Sequence, residues 1–229
     1  MLDPALYAPE PDISHIVTED DAPVDNVFSE KQQRLLTGSL YASWHPESPF
    51  VAMANVGLFF SPHQPPIVPD VMVSLDVNLP DEVWEKRHRS YFTWEYGKAP
   101  EIVIEVVSNR EGREEKKLDI CARVGIVYYV IFDPDRQLGE RTLRVFELQG
   151  RGFIELLHPS WLTHLGLGLT LWEGTFEDLH AVWLRWCDQE GKLLLSPFER
   201  ADQEKQRADQ EKERADRLAA RLRELGLEE

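Results

Sequence analysis

The sequence predicts a mixed α/β (α+β) domain carrying a charged C-terminal helix. Three observations predict it. An apolar strand, a helix and a second apolar strand follow one another over 101–132. Shorter strand-like runs lie in pairs on either side of that unit. Past residue 190 the apolar pattern gives way to a repeat of charge. A length of 229 residues suits one domain with appendages.

Residues 1–26 read as an extended acidic arm, broken by Pro4, Pro9, Pro11 and Pro23. A helix opens next, with Ser29 placed to cap it and Phe28, Leu35, Leu36 and Leu40 as its apolar face; Gly38 is its weak point. Residues 50–60 and 70–75 flank a Pro-rich turn at 62–69 and read as a hairpin-like pair. Residues 80–99, polar and aromatic, read as an irregular loop with a helical turn. The clearest strand is 101–107, with Ile102, Ile104 and Val106 on one face and Val103, Glu105 and Val107 on the other. Residues 110–124 suit a helix with Leu118, Cys121 and Val124 buried, ended by Gly125. The β-rich run 126–132 stops at Asp133 and Pro134. Strand, helix and strand at this spacing make the two strands parallel neighbours.

A further hairpin is predicted from 142–148 and 152–157. Residues 161–187 carry Trp161, Trp172, Trp183 and Trp186 and read as a closing hairpin with a short helix. The domain is thus expected over 27–190, and 191–229 form a linker and a heptad-like helix. In that helix Arg200, Arg207, Arg214 and Arg221 recur every seven residues, each followed by Ala201, Ala208, Ala215 or Leu222. Leu218 and Leu225 complete an apolar seam only at its end; Glu204 and Glu211 hold the earlier positions. Such a helix either stays solvated alone or pairs with a second copy or a partner.

Composition narrows the setting. No run of about 18 apolar residues is present, so nothing is expected to span a membrane. The N-terminus lacks the basic and apolar regions of a signal peptide. Cys121 and Cys187, the two cysteines, sit in apolar contexts, which fits buried thiols in a reducing cytoplasm. A net charge of −16 argues against a nucleic-acid partner, since duplex binding draws on Lys and Arg. Residues 86–117 are the exception: Lys86, Arg87, Arg89, Lys98, Arg110, Arg113, Lys116 and Lys117 stand against six glutamates. That bias is either a phosphate-attracting surface or a solvated face.

The chemistry-bearing residues fall in this region. Asp70 begins one strand, Glu105 interrupts an apolar one, and Lys117 lies on the helix that follows. Mg²⁺ or Mn²⁺ is held by carboxylates together with water and phosphate, and the carbonyl of Val106 is a further candidate ligand beside Asp70 and Glu105. A nearby ammonium stabilises charge developing on a phosphate. Each residue also has a plainer reading. Asp70 after Pro69 serves as a turn acceptor, Glu105 as half of a structural ion pair, and Lys117 as a solvated helix lysine. The seven His show no zinc spacing, and no Gly-rich phosphate loop is present. Tyr91, Trp94 and Tyr96, set among Lys and Arg, are placed either to stack on bases or to pack in the core.

Four phrases then carry a resemblance: Val-Pro-Asp-Val-Met-Val at 68–73, Arg-Ser-Tyr-Phe-Thr-Trp-Glu at 89–95, Pro-Glu-Ile-Val-Ile-Glu-Val-Val-Ser at 100–108, and Lys-Leu-Asp-Ile-Cys-Ala-Arg-Val-Gly-Ile at 117–126. With Tyr-Tyr-Val-Ile-Phe-Asp-Pro at 128–134, the chain resembles the Uma-two endonuclease family of the PD-(D/E)XK, restriction-endonuclease-like superfamily over about residues 25–190. The resemblance implies a central mixed sheet flanked by helices, Mg²⁺-dependent cleavage of DNA and a homodimer. It implies Asp70 as the first acid and Glu105 as the second. The superfamily lysine two residues after that acid is replaced here by Val107. Lys117 then takes its role from the next helix, with Lys116 as the neighbouring alternative. Cys121 stands where many members carry tyrosine. Where superfamily members place an acid on the first helix, Glu30 is the nearest candidate. Two other readings remain at this level: a non-catalytic nuclease-like binding protein, and an adaptor that works through a coiled coil formed by 198–229.

Overall fold

The structure, a computed structural model, describes residues 12, 26–108, 113–157 and 161–224; the side chains of 113–116, 223 and 224 are excluded. The predicted arm, Arg110 and Leu225 thus lie outside the described residues, apart from Asp12 and Asn26 of the arm.

Helix α1 (Val27–Ser43) comes first. Its cap is Asn26, not Ser29: the Ser29 N–H donates to Asn26 Oδ1 at 2.9 Å, because the helix begins before the serine. Gly38 has a packing reason. A Cβ there would sit 3.4 Å from the ring of Pro197, so the glycine admits a second helix against α1. Strand β1 (Phe50–Ala54) ends at Asn55, whose left-handed φ of 53° breaks the predicted 50–60 run. The remainder, β2 (Leu58–Phe59), turns aside. Strand β3 (Val71–Leu75) then pairs antiparallel with β1, as predicted.

A 3₁₀ turn at Lys86–His88, strand β4 (Tyr91–Phe92) and the single turn α2 (Thr93–Tyr96) give the 80–99 segment more order than a loop; β4 pairs parallel with β2. Strand β5 (Ile102–Val106), helix α3 (Arg113–Val124) and strand β6 (Tyr128–Phe132) form the predicted parallel crossover. Gly125 ends α3 with φ 90°, a backbone that glycine adopts at no steric cost. Asp133 ends β6 by accepting the N–H groups of Gln137 and Leu138 at 2.8 and 2.7 Å.

Strands β7 (Leu143–Gln149) and β8 (Gly152–Glu155) form the next hairpin, then β9 (Gly168–Phe176) and β10 (Leu179–Cys187) a longer one. Among the described residues of 161–187 there is no short helix. Trp183 and Trp186 both lie on β10, where buried residues line both faces. Helix α4 (Pro197–Glu224) closes the chain.

Six strands make one mixed sheet in the order β1-β3-β5-β6-β7-β8. Its two faces explain why β5 is apolar on both sides apart from Glu105. Ile102, Ile104 and Val106 join Val71, Val130, Leu36, Leu40, Leu184 and Trp186 in one core, under α1 and the β9–β10 hairpin. Val103 and Val107 join Met72, Tyr129, Ile131, Cys121 and Tyr91 in the other, under α3 and the β2–β4 segment. A strand sealed on both sides reads as a continuous hydrophobic run, and each such fully buried side chain contributes about 1.5–3 kcal/mol. Both cysteines are buried free thiols; burial pushes the Cys121 thiol up to about 12, and the Glu105 charge adds to that. No helix among the described residues is long and apolar enough to cross a membrane.

Candidate functional site

The residue next to Glu105 joins the two predicted acids. Asp70, 6 % exposed, precedes β3, and its Oδ2 accepts the N–H of Val106 at 2.7 Å. Glu105 lies one position earlier on β5. It points to the α3 side of the sheet, since Val103 and Val107 do. Lys117 projects from the first part of α3, and its Nζ donates to Glu105 Oε2 at 2.7 Å. The Glu105 side chain is 5 % exposed and that of Lys117 24 %, so a partly solvated ammonium meets a buried carboxylate. Asp70, Glu105, Val106 and Lys117 are therefore brought together, by β3, β5 and α3. Val107, two residues after Glu105, is a core side chain at 4 % exposure. The lysine that does reach the second acid comes from the helix. The Lys116 side chain lies outside the described residues.

Sequence reasoning missed two residues of this site. Gln33 on α1 is 5 % exposed, and its Nε2 donates to Asp70 Oδ1 at 2.7 Å. Asn55, at the end of β1, donates from Nδ2 to Gln33 Oε1 at 2.9 Å, and its backbone N–H donates to the Asp70 carbonyl at 3.2 Å. The signal for them was present: Gln32 and Gln33 interrupt the apolar face of a helix, where an amide must find partners. Glu30, the candidate acid of that helix, instead pairs with Arg34 on an exposed surface.

Among the described side chains of the basic run 86–117, two are turned to other partners. Lys98 binds Glu101 and the Leu75 carbonyl at the opposite end of β5 from Glu105. Arg87 pairs with Glu85 at 2.7 Å. The interleaved aromatics are not stacking platforms. Tyr91 is 1 % exposed and lies parallel to Tyr96 with ring centres 4.2 Å apart, while Trp94 packs on Phe92. Desolvation pushes both tyrosine hydroxyls up, that of Tyr91 to about 12. Trp84, earlier in the same segment, is exposed instead.

The carboxylate oxygens suit a hard divalent cation: Asp70 lies on the Val106 N–H, and Glu105 is the residue before it. Described residues include no cluster of three or more His, Cys, Asp or Glu able to hold a metal by themselves. Asp70 and Glu105 would therefore share an ion with backbone, water or substrate oxygens, as Mg²⁺ commonly requires. A groove of about 810 Å³ lies elsewhere, between the first turns of α4 and residues such as Trp44, Leu167 and Leu194. Neither carboxylate lines it.

No curated protein matches the sequence. A solved structure described as a "putative nuclease belonging to DUF820", from Anabaena variabilis, is similar over 62 % of this chain and 73 % of its own, with 19 % identity and a TM-score of 0.42. The sequence model of the Uma2 family, described as "Putative restriction endonuclease", matches residues 8–175. That span covers most of the chain and includes Gln33, Asp70, Glu105 and Lys117. The chain belongs to the Uma2 family.

Proposed function

We propose that this chain is a Mg²⁺-dependent endonuclease that hydrolyses DNA phosphodiester bonds. The observation that carries the reading is the Lys117–Glu105 contact of 2.7 Å, one residue from the peptide N–H that Asp70 accepts. It gathers two carboxylates and one cation from three elements at a place where an apolar strand makes charge costly. A structural pair would need one carboxylate. Phosphodiester hydrolysis uses two, with a cation beside them.

Asp70 and Glu105 would hold Mg²⁺ or Mn²⁺, with the Val106 carbonyl as the further ligand. Val106 directs its N–H toward Asp70, and in an extended strand the carbonyl of the same residue points to the same side. Bound there, a divalent ion lowers the pKa of water and neutralises charge on phosphate. Lys117, held by Glu105, adds a fixed ammonium to the same field and stabilises charge that develops on the phosphoryl oxygens. Water adds to phosphorus, one P–O ester bond breaks, and the departing oxygen takes up a proton. Two copies of the chain, paired through the 198–229 helix, would present two such sites to one duplex.

The deciding experiment is nicking of supercoiled plasmid with Mg²⁺ or Mn²⁺ by wild type and Glu105→Ala. Cutting by wild type alone is expected. Equal cutting by both, or by neither, removes the reading.

A further inference from the structure

We infer that Gln33 and Asn55 are positioning residues that set the Asp70 carboxylate for a divalent cation. The inference rests on the function proposed above and names the part of the molecule that prepares its first ligand.

Asp70 is held from two sides. Val106 N–H fixes Oδ2 from β5, and Gln33 Nε2 fixes Oδ1 from α1, each at 2.7 Å. The Gln33 amide is itself fixed. Its Oε1 accepts from Asn55 Nδ2 at 2.9 Å, and its Nε2 lies 3.4 Å from Asn55 Oδ1. A flipped Gln33 amide would aim a carbonyl at the Asp70 carboxylate and an NH₂ at the Asn55 NH₂. The paired amides thus permit one orientation. Asn55 closes the ring through its backbone N–H to the Asp70 carbonyl at 3.2 Å. It does so in the left-handed conformation, φ 53°, which asparagine tolerates better than most residues.

The neighbouring glutamine separates this role from plain docking. Gln32, fully buried, donates to the Leu184 carbonyl at 2.8 Å and accepts the Leu184 N–H at 3.0 Å. Those bonds seat α1 on β10. Gln33 instead directs its amide to a carboxylate and to the asparagine that orients it. A neutral donor restrains a ligand without replacing the cation that the ligand serves. Groups that orient metal ligands in this way typically change metal affinity 10- to 100-fold when removed.

The test is calorimetric titration of the full chain with Mn²⁺, with melting in the absence of metal as the check on folding. Wild type should bind, and Asp70→Asn should lose binding. Gln33→Met should weaken binding by about 10- to 100-fold. Asn55→Gly keeps the left-handed backbone and should weaken it in the same direction by a smaller factor. Gln32→Met should lower the melting temperature and leave the affinity of the folded protein unchanged. Wild-type affinity in both Gln33→Met and Asn55→Gly, with binding lost in Asp70→Asn, overturns the positioning role and leaves the proposed function standing. Equal weakening in Gln32→Met also overturns it, since docking of α1 alone would then account for the effect. Absence of Mn²⁺ binding by wild type removes the proposed function and this inference together. Should Gln33→Met fail to fold, Asn55→Gly decides.

Discussion

Two partly buried ion pairs in this molecule are built from the same chemistry and end differently. At the start of α4, both terminal nitrogens of Arg185 meet Glu199, at 2.8 and 2.6 Å. Arg185 also donates to the Leu194 carbonyl at 2.8 Å and lies over the Trp172 ring, 4.9 Å from its centre. Glu199 in turn accepts the Ser196 N–H at 2.8 Å, and the guanidinium helps hold its carboxyl below the usual range despite partial burial. One positive and one negative charge cancel, and the pair latches α4 to the β9–β10 hairpin. At the other site Glu105 meets a single-point donor, Lys117, and a second carboxylate sits one residue away. There two carboxylates are gathered beside one ammonium. Burial of charge does not by itself mark a site; the number of carboxylates gathered and the shape of the donor do.

The comparison breaks most sharply on activity. Glu105→Ala should reduce plasmid nicking by roughly 10²-fold or more, whereas Arg185→Met should leave nicking per folded molecule unchanged. Stability should show the reverse emphasis. Arg185→Met strands the Glu199 carboxylate and removes the contact with Trp172, and should cost about 3 kcal/mol, or roughly 6–12 °C in melting temperature. A loss much below that would mean the latch is ornamental. Lys117→Met removes the ammonium from Glu105, and because the lysine is a quarter exposed the expected cost is smaller, about 2 kcal/mol without metal. Added Mn²⁺ should recover more stability in Lys117→Met than in wild type, because the ion supplies the charge that the lysine did. Equal recovery would place Lys117 with the latch rather than with the site.

A third ion pair, at the surface, calibrates the other two. Glu177, in the turn between β9 and β10, accepts from Arg34 and Lys31, which hold its carboxyl down to about 2. A carboxyl depressed in the fold contributes stability above its unfolded pKa and loses it as pH falls through the folded one. The window is therefore from about 4.5 down to about 2. Arg34 is half exposed, so solvent screening holds the contribution to about 1 kcal/mol at pH 7. Glu177→Gln should lower the melting temperature at pH 7 and converge on wild type as pH falls through that window. A constant difference across it would assign the effect to the turn backbone, where Glu177 and Asp178 both have positive φ.

Much of this was legible in the chain because local patterning and tertiary structure agree. The 101–132 crossover, its glycine stop and its aspartate–proline end follow from alternation and turn chemistry, and Glu105 is visible as the charge in that pattern. Lys117 was legible through the family phrase, and its reach to Glu105 depended on packing of α3. Gln33 and Asn55 were not legible as site residues. Gln33 contacts Asp70 across 37 positions, and nothing in a glutamine pair says which amide docks a helix and which restrains a carboxylate. The misplaced cap and the missing short helix share one cause: each was read from linear neighbours, while the actual partners, Asn26 for the Ser29 N–H and β9 for β10, were set by the start of the helix and by strand register.

The tail carries the smallest expected effect and the sharpest contrast with the latch at its base. Pro197 rests on Gly38, Glu199 on Arg185 and Arg200 on the Ala42 carbonyl, so the first turn of α4 belongs to the packed domain. From Ala201 to Leu222 nearly every residue is exposed. The Arg200–Glu204 and Arg207–Glu211 pairs at 3.2 Å support the helix locally, by a few tenths of a kcal/mol each. Removal of 208–229 spares the latch and should change monomer stability by no more than about 0.5 kcal/mol. Leu218 and Leu222 remain 56 % and 44 % exposed, and they lie where the heptad seam becomes apolar. If that seam joins two copies, the same truncation should halve the mass in solution while Arg185→Met leaves it unchanged. An unchanged mass after truncation would assign the tail to a solvated helix and place any dimer contact on the domain itself.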